Sequence, residues 1–247
     1  MADGIGSGWR DVVGTTWRLL TFRATSTELV SLNRGHLFFG LLCTWIVGIG
    51  RYWDNPRVPI LQRLGIGSVI YVFLLSLLLW LVLWPLRPKH CSYFRVLTFV
   101  TLVSPPAILY AIPVEHFFSI DTSNTINAWF LAIVATWRVA LLFFFMRRAG
   151  ELGWPTITVA ALLPLTLIVV TLTVLNLERV VFNLMGGLRE TDRTSADSSF
   201  GILFLLSSFS IILFVPIVLT YVTLAIVSWN DYRASRRLEL ERDQNEQ

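Results

Sequence analysis

The residues that could do chemistry are few and scattered. The three histidines, His36, His90 and His116, all fall at the ends of apolar segments. The sequence has no His-Glu-x-x-His zinc motif, no Walker loop and no dinucleotide fingerprint. Cys43 and Cys91 predict neither a disulfide nor a metal site. We therefore expect no catalytic residue, no cofactor and no metal; a lipid-modifying enzyme that works through loop residues stays an alternative.

One charge stands out, Arg138, near the centre of the apolar stretch Ile126–Arg148. About 20 helical residues cross a bilayer core, so this stretch predicts a membrane span. A charge at the centre of a span costs at least about 2.5 kcal/mol on insertion scales. No aspartate or glutamate falls in the core of a predicted span. The arginine must therefore use carbonyls, hydroxyls, water, a lipid phosphate or an anionic ligand.

The preceding apolar segment offers carbonyls at a matching depth. Its sequence Ser104-Pro105-Pro106 removes two backbone donors and frees the carbonyls of Thr101 and Leu102, which predicts a kink or a break. We expect Arg138 to donate to this broken backbone, near Thr101–Ser104. The candidate polar site at the membrane midplane is Arg138, Thr101, Ser104, Pro105 and Pro106. The site either caps a kink or forms a hydrated path for a solute or anion.

A second cluster of charges falls in loops on the predicted outer side. Its members are Asp54, Glu115, His116 and Asp121. They favour either an outer gate with a salt-bridge network or simply solvated loop charges.

Composition places these residues in a membrane protein. Hydrophobic residues make up 55% of the 247 residues, charged residues 15%, and the mean hydropathy is +0.65. Soluble domains have about 25% charged residues. The fold class predicted is an all-α integral membrane protein, a bundle of six transmembrane helices. The predicted spans are about 36–53, 64–86, 92–113, 126–147, 155–175 and 200–229, with prolines interrupting the third, fifth and sixth.

Two amphipathic segments flank or interrupt the transmembrane domain, 35–229. In the N-terminal segment, 1–34, one helical face carries Trp9, Val12, Val13, Trp17 and Leu20. This predicts a helix that lies at the membrane interface or packs on the protein's own spans. A second interfacial helix is expected between spans 5 and 6, from Leu177 to Leu188. Residues 230–247 form a charged tail that is partly helical or frayed.

The net charge of +4 comes from basic residues clustered at span ends, which indicates topology signals and no nucleic-acid partner. More of them fall in the loops that share a side with the termini, so both termini are expected in the cytoplasm. All but one of the basic residues are arginine, which hints at a bacterial source and an inner-membrane location.

The functional hypothesis that requires the fewest special features of the sequence is a non-catalytic scaffold, assembly or trafficking factor. Its partners would be the lipid bilayer and either another protein or further copies of the chain. The alternative is a small transporter or channel-like subunit whose path is lined by Arg138 and the proline-broken helices. The lipid-modifying enzyme is the second alternative.

Overall fold

The computed structural model describes residues 3–51, 53, 60–177 and 196–245, and within these ranges every regular element is a helix. Four helices are long and apolar enough to cross a membrane: Ile66–Leu86, Thr125–Arg148, Trp154–Val174 and Phe204–Leu238. A bent pair, Tyr93–Leu102 with Pro105–Ala111, makes a fifth candidate. This architecture is consistent with a helical membrane protein.

The helices follow one another along the chain with short connections. They are α1 (Asp3–Leu20), α2 (Ser26–Val30), α3 (Arg34–Gly50), α4 (Ile60–Arg63), α5 (Ile66–Leu83), α6 (Tyr93–Leu102), α7 (Ile120–Arg148), α8 (Trp154–Val174) and α9 (Ala196–Asn245). Short 3₁₀ helices occupy Trp84–Leu86, Pro105–Ala111 and Val114–His116.

The described residues support four or five spans, and a sixth stays a prediction. The first predicted span, 36–53, corresponds to α3, which has 17 residues and belongs to the shorter apolar helices. A helix of that length is somewhat shorter than the roughly 20 residues that cross a hydrocarbon core.

The prolines do not act alike. Pro105 and Pro106 end α6 at Leu102, and the chain bends by 41° into the following 3₁₀ helix. Pro164 and Pro216 instead lie inside the unbroken helices α8 and α9, so the interruptions expected in spans 5 and 6 are wrong. A single proline removes one donor, and the flanking turns keep their hydrogen bonds.

A continuous apolar core lies where α5, α6, α7 and α8 meet; buried leucines of α1 and α2 belong to it, and partly buried side chains of α3 pack against it. Phe99 of α6 stacks on Phe145 of α7, with ring centroids 4.3 Å apart and planes within 15°. Both rings are buried, as are Leu83 of α5 and Ile157 of α8. This packing fixes α6 against α7 and so sets the position of the break in α6 relative to Arg138.

The N-terminal helix lies across the side of the bundle. Trp9 packs edge-on against Phe38 and Phe39 of α3, and the indole Nε1 of Trp137 on α7 donates to the Leu20 carbonyl at 3.0 Å. Of the predicted apolar face, Val12 and Leu20 are buried, and Trp9, Val13 and Trp17 are exposed. Part of that face therefore packs on the protein, and the membrane-interface position of the exposed part stays a prediction.

The predicted second interfacial helix falls almost wholly in 178–195, outside the described residues. After it comes α9, a helix of 50 residues that carries the last span and the charged tail together. The tail, for which a partly helical or frayed end was expected, is helical as far as Asn245.

Candidate functional site

Side-chain hydroxyl groups hydrogen-bond to backbone carbonyls at the break in α6. Ser104 Oγ donates to the Thr101 carbonyl at 2.6 Å, and Thr101 Oγ1 donates to the Thr98 carbonyl at 2.7 Å. The Thr101 carbonyl also accepts from the Ser104 backbone N–H at 3.2 Å. The proline pair leaves the Thr101 carbonyl without its usual helical donor, and Ser104 supplies that donor. All three hydroxyl residues are buried.

Helix α3 meets this break through its smallest residues. Its buried residues are His36, Gly40, Thr44 and Gly48, spaced four apart on one face. Thr44 Oγ1 donates to the Gly40 carbonyl at 2.8 Å and lies 2.9 Å from Ser104 Oγ. A side chain at Gly40 would overlap Thr101 Oγ1, and its Cβ would lie 2.7 Å from Thr101 Cβ. The two backbones are therefore close enough that only glycine fits.

This contact was missed at the level of the sequence, although a signal was present. The glycines of α3 taken alone, Gly40, Gly48 and Gly50, have no regular spacing. Counting Thr44 as a small residue gives Gly40-xxx-Thr44-xxx-Gly48, the small-xxx-small pattern of closely packed membrane helices.

Arg138 reaches the same break from α7. Its Nε donates to the Val103 carbonyl at 3.3 Å, within the segment Thr101–Ser104 for which we predicted the contact. Val103 needs this donor, because Pro106 has no N–H and the Ala107 N–H donates to the Ser104 carbonyl at 3.0 Å. The arginine thus satisfies a carbonyl that the double proline leaves unpaired.

The candidate residues therefore all lie at one kink, and they differ in whether their polar groups are already hydrogen-bonded. Thr101 and Ser104 hydrogen-bond to carbonyls of α6, Ser104 also contacts Thr44 of α3, and Pro105 and Pro106 begin the 3₁₀ helix. Only Arg138 has donors left over. Its guanidinium interacts electrostatically with Tyr110, Tyr71 and Arg51.

Arg51 ends α3 on the same side of the bundle as this group. Its guanidinium carbon lies 5.3 Å from the centre of the Tyr110 ring, a cation–π distance. The structure thus brings two arginines and two tyrosines together beside the break, a grouping that no periodic pattern in the sequence indicates.

The predicted outer cluster is only partly described. Asp54 and the side chains of Glu115 and Asp121 lie outside the described residues, and His116 is exposed. The gate or salt-bridge network proposed for them stays a prediction.

Within the ranges that the structure describes, no three His, Cys, Asp or Glu side chains come together in a way that could hold a metal ion. Both cysteines are free, and burial raises the pKa of the Cys91 thiol to about 12. That thiol is therefore held in its unreactive protonated form.

A second arrangement, absent from our sequence prediction, joins α9 to the bundle. Arg87 adopts a left-handed backbone conformation, φ 52°, and its guanidinium carbon lies 4.3 Å from the Trp229 ring centre and 4.4 Å from that of Tyr232. We call this contact the Arg87 clamp. The sequence does carry a signal for this contact. Trp229 and Tyr232 lie three residues apart just after an apolar segment, and Arg87 lies in a basic loop.

Comparison of the chain with protein-family models, with curated proteins and with solved structures finds no match.

Proposed function

We propose that the protein is a non-catalytic membrane scaffold or assembly factor, and that α9 is the element that carries its partner. The observation behind this proposal is the single helix Ala196–Asn245, which joins an apolar span to a charged tail with no break. The 16 residues beyond Trp229 would extend about 24 Å at 1.5 Å per residue.

The membrane part of α9 has little of its surface occupied by the protein. In its most apolar window 11% of the residues are buried, against 28% to 33% in the other three uninterrupted candidate spans. It packs along α8, where Thr173 Oγ1 donates to Ser207 Oγ at 3.1 Å, and Tyr221 donates to the Val82 carbonyl at 2.9 Å. The remaining faces are free to contact lipid or another membrane helix.

The Arg87 clamp supports a presenting role for the tail. In it, the Arg87 guanidinium contacts the rings of Trp229 and Tyr232, which lie where the apolar part of α9 ends and its charged part begins. Two cation–π contacts at this junction hold the tail in one direction. A helix with a fixed exit direction loses less conformational freedom when a partner binds.

The tail itself has a face suited to another helix. Residues at helical spacing line a shallow open groove along it: Asn230, Arg233, Ala234, Arg237, Leu238 and Glu241. Small and apolar side chains lie among charges of both signs. Such a face fits a helical protein partner or a second copy of the chain, and it does not fit the single-sign charge of a nucleic-acid surface.

The surplus of basic residues on the segments that share a side with the tail supports a cytoplasmic position for both termini. With the arginine-rich composition, we propose a multi-pass protein of a bacterial inner membrane. Reporter fusions after Leu86 and Ser119 test the orientation: we expect the first inside and the second outside, and the reverse would overturn it.

The small transporter or channel-like subunit remains the second candidate, because Arg138 keeps donors that the kink does not use. The hydroxyls around the break weigh against it. Thr44, Thr98, Thr101 and Ser104 all bond within the protein and are buried, so they offer little to line a hydrated path.

Charge reversal on the tail tests the scaffold proposal. Full-length wild type and Arg237→Glu are affinity-purified from native membranes and their co-purifying proteins are quantified, with the exposed Arg10→Glu as the matched control. We expect one partner to be lost about tenfold from Arg237→Glu, or 1.4 kcal/mol, and retained by Arg10→Glu. A single set of associated proteins, unchanged by either variant, would contradict the role of the tail.

A further inference from the structure

Two arginines contact one tryptophan where the apolar part of α9 meets its charged part. The guanidinium carbon of Arg87 lies 4.3 Å from the centre of the Trp229 ring, and that of Arg233 lies 5.5 Å from the same centre. Arg87 also lies 4.4 Å from the centre of the Tyr232 ring. Cation–π contacts thus hold two positive charges at one indole. The rings are neutral, so the repulsion between the two cations is not cancelled by them.

No carboxylate of the described residues is paired with either arginine. The structure describes two ion pairs, and neither includes Arg87 or Arg233. Asp231, two residues before Arg233 in α9, takes part in neither pair. Glu151, on the loop next to that of Arg87, is already paired with Lys89 at 2.7 Å. The junction therefore keeps an excess of positive charge.

The Arg87 side chain also has hydrogen-bond donors without an acceptor. An arginine carries five N–H donors. Its Nε is buried and has no hydrogen-bond partner among the described residues, and no hydrogen bond joins its Nη groups to them. The aromatic rings fix the position of the guanidinium but do not accept these bonds as an oxygen would. A phosphate group supplies both a negative charge and oxygens that match the fork of an arginine.

The junction lies at the depth of the lipid headgroups. The candidate span Ile66–Leu86 ends just before Arg87, and the apolar part of α9 ends at Trp229. Because Arg87 contacts Trp229, the two apolar stretches end at one level. Tryptophans are enriched at the membrane–water interface, and basic sites between membrane helices at that level suit acidic headgroups.

The residues that form the site are themselves accessible. Trp229 and Tyr232, whose rings contact Arg87, expose 36% and 39% of their surfaces. Arg233 is exposed, and Arg87 is partly exposed. A headgroup can therefore approach the arginines directly.

We propose that Arg87 and Arg233 bind the phosphate of an anionic phospholipid at the junction of α5 and α9. Arg87, held by the two rings, donates N–H groups to the phosphate oxygens, and Arg233 contributes the second positive charge. The tail then leaves the membrane beside a bound lipid. Lipid binding here depends neither on a protein partner of α9 nor on a scaffold role, so each can fail without the other.

Native mass spectrometry of the full-length protein in a neutral detergent tests this binding. The protein is titrated separately with phosphatidylglycerol, with the zwitterionic phosphatidylcholine and with inorganic phosphate. We expect one equivalent of phosphatidylglycerol to bind saturably and more tightly than phosphatidylcholine. Inorganic phosphate, which has no acyl chains, should displace it only weakly.

Two variants locate the site. Arg87→Gln should lose about tenfold in affinity for phosphatidylglycerol, because it removes charged hydrogen bonds. Arg233→Gln should lose less, about fivefold, because it removes one nearby charge. Arg233→Gln leaves the Arg87 clamp in place, so its effect does not arise from a displaced tail.

Arg147→Gln is the matched control. Arg147 lies at the same end of the bundle, since Lys89 of the loop after α5 pairs with Glu151 of the loop after α7. Its guanidinium carbon is also close to a tryptophan, 5.9 Å from the Trp154 ring centre, but its Nη1 already donates to the Leu152 carbonyl at 2.8 Å. We expect Arg147→Gln to bind phosphatidylglycerol as wild type does.

Four results would overturn the proposal: no saturable binding of phosphatidylglycerol to wild type, equal affinity for phosphatidylcholine, displacement by inorganic phosphate at equal concentration, or equal losses in Arg87→Gln and Arg147→Gln. Should Arg87→Gln fail to fold, Arg233→Gln and Arg147→Gln decide, and equal affinities in those two variants would contradict the site.

Discussion

The break in α6 and the helix α9 differ in how much of their surface and how many of their polar groups the protein itself contacts. Around the break, Gly40 brings two backbones into contact and buried hydroxyls occupy the carbonyls that the prolines free. Helix α9 tolerates its own Pro216 without a break and buries few of its residues. The first region is closed by internal hydrogen bonds and close packing. The second is held at a few points, the Arg87 clamp among them, and leaves its other faces open.

This difference shows that a buried polar group in an apolar helix can complete the protein's own hydrogen bonds and need not indicate a functional site. The hydroxyls of Thr101 and Ser104 belong to the site that we predicted either to cap a kink or to form a hydrated path, and in the structure they complete the hydrogen bonds of the kink. The long apolar and charged helix α9 keeps most of its membrane part outside the contacts of the bundle, and it is the element for which we propose a partner. Variants that disturb one region and spare the other test this division.

The largest effect is expected from Gly40→Ala. The new Cβ would overlap the buried Thr101 side chain and lie 3.0 Å from the Leu102 backbone nitrogen, so α3 and α6 must separate. We expect the free energy of unfolding to fall by about 1–3 kcal/mol. The measurement is unfolding in mixed detergent micelles with increasing SDS.

Gly67→Ala is the matched control, since a Cβ there meets nothing within 4 Å. It lies in α5 and should be neutral or stabilising by up to about 1 kcal/mol, the helical preference for alanine. If the two alanine variants unfold at the same SDS fraction, the close packing of α3 on α6 is not what holds the closed region.

A smaller effect is expected from Arg87→Ala, which removes the clamp on Trp229 and Tyr232. Loss of the cation–π contacts should weaken the hold on the tail by about 1–2 kcal/mol. Spin labels at positions 158 on α8 and 238 on the tail report the result as a broader distance distribution. Unfolding in SDS should change less than for Gly40→Ala.

Arg10→Ala serves as the control for the clamp, because it removes an exposed arginine of α1. An unchanged distance distribution in Arg87→Ala would mean that packing on α8 alone directs the tail.

The smallest effect is expected where α1 and α2 fold onto the closed region. A hydrogen bond from the Thr25 backbone N–H, 2.8 Å from the carboxylate, and the 2.6 Å ion pair with Arg18 hold the pKa of Glu28 below its usual 4.5. A lowered pKa means stabilisation that is present at neutral pH and lost as the pH falls below about 4.5. A spin label at position 23 should become more mobile over that acidic range.

Glu28→Gln should show the mobile spectrum already at pH 7 and change little on acidification. Glu151→Gln removes the other described ion pair, with Lys89, and should leave the label at position 23 unaffected. If wild type and Glu28→Gln give the same spectrum at pH 7, the carboxylate does not fasten the two helices.

Sequence reasoning reached the contact between Arg138 and the broken backbone because both features are rare and their depths could be counted from the ends of their spans. It placed a break at Pro216 as well, since a proline in a sequence does not reveal whether the surrounding turns compensate. A proline pair removes consecutive donors, and a single proline removes one.

Other contacts lay beyond reach because they join residues far apart in the chain. The Arg87 clamp depends on how α9 crosses the end of α5, and the pairing of Trp137 with Leu20 depends on how α1 lies across the bundle. Neither follows from the periodicity of one segment. The contact at Gly40 was visible in part, and it was missed because a threonine was not counted among the small residues.

Photo-crosslinking in native membranes tests the central claim most directly. A photoreactive residue is placed at Leu238 on the tail, which is 67% exposed, and in a second protein at the buried Leu163 of α8. The division between an open α9 and a closed bundle predicts a discrete protein adduct at position 238, recovered again when the captured partner is itself purified, and none at 163. No protein adduct at position 238, or the same adduct at both positions, would contradict it.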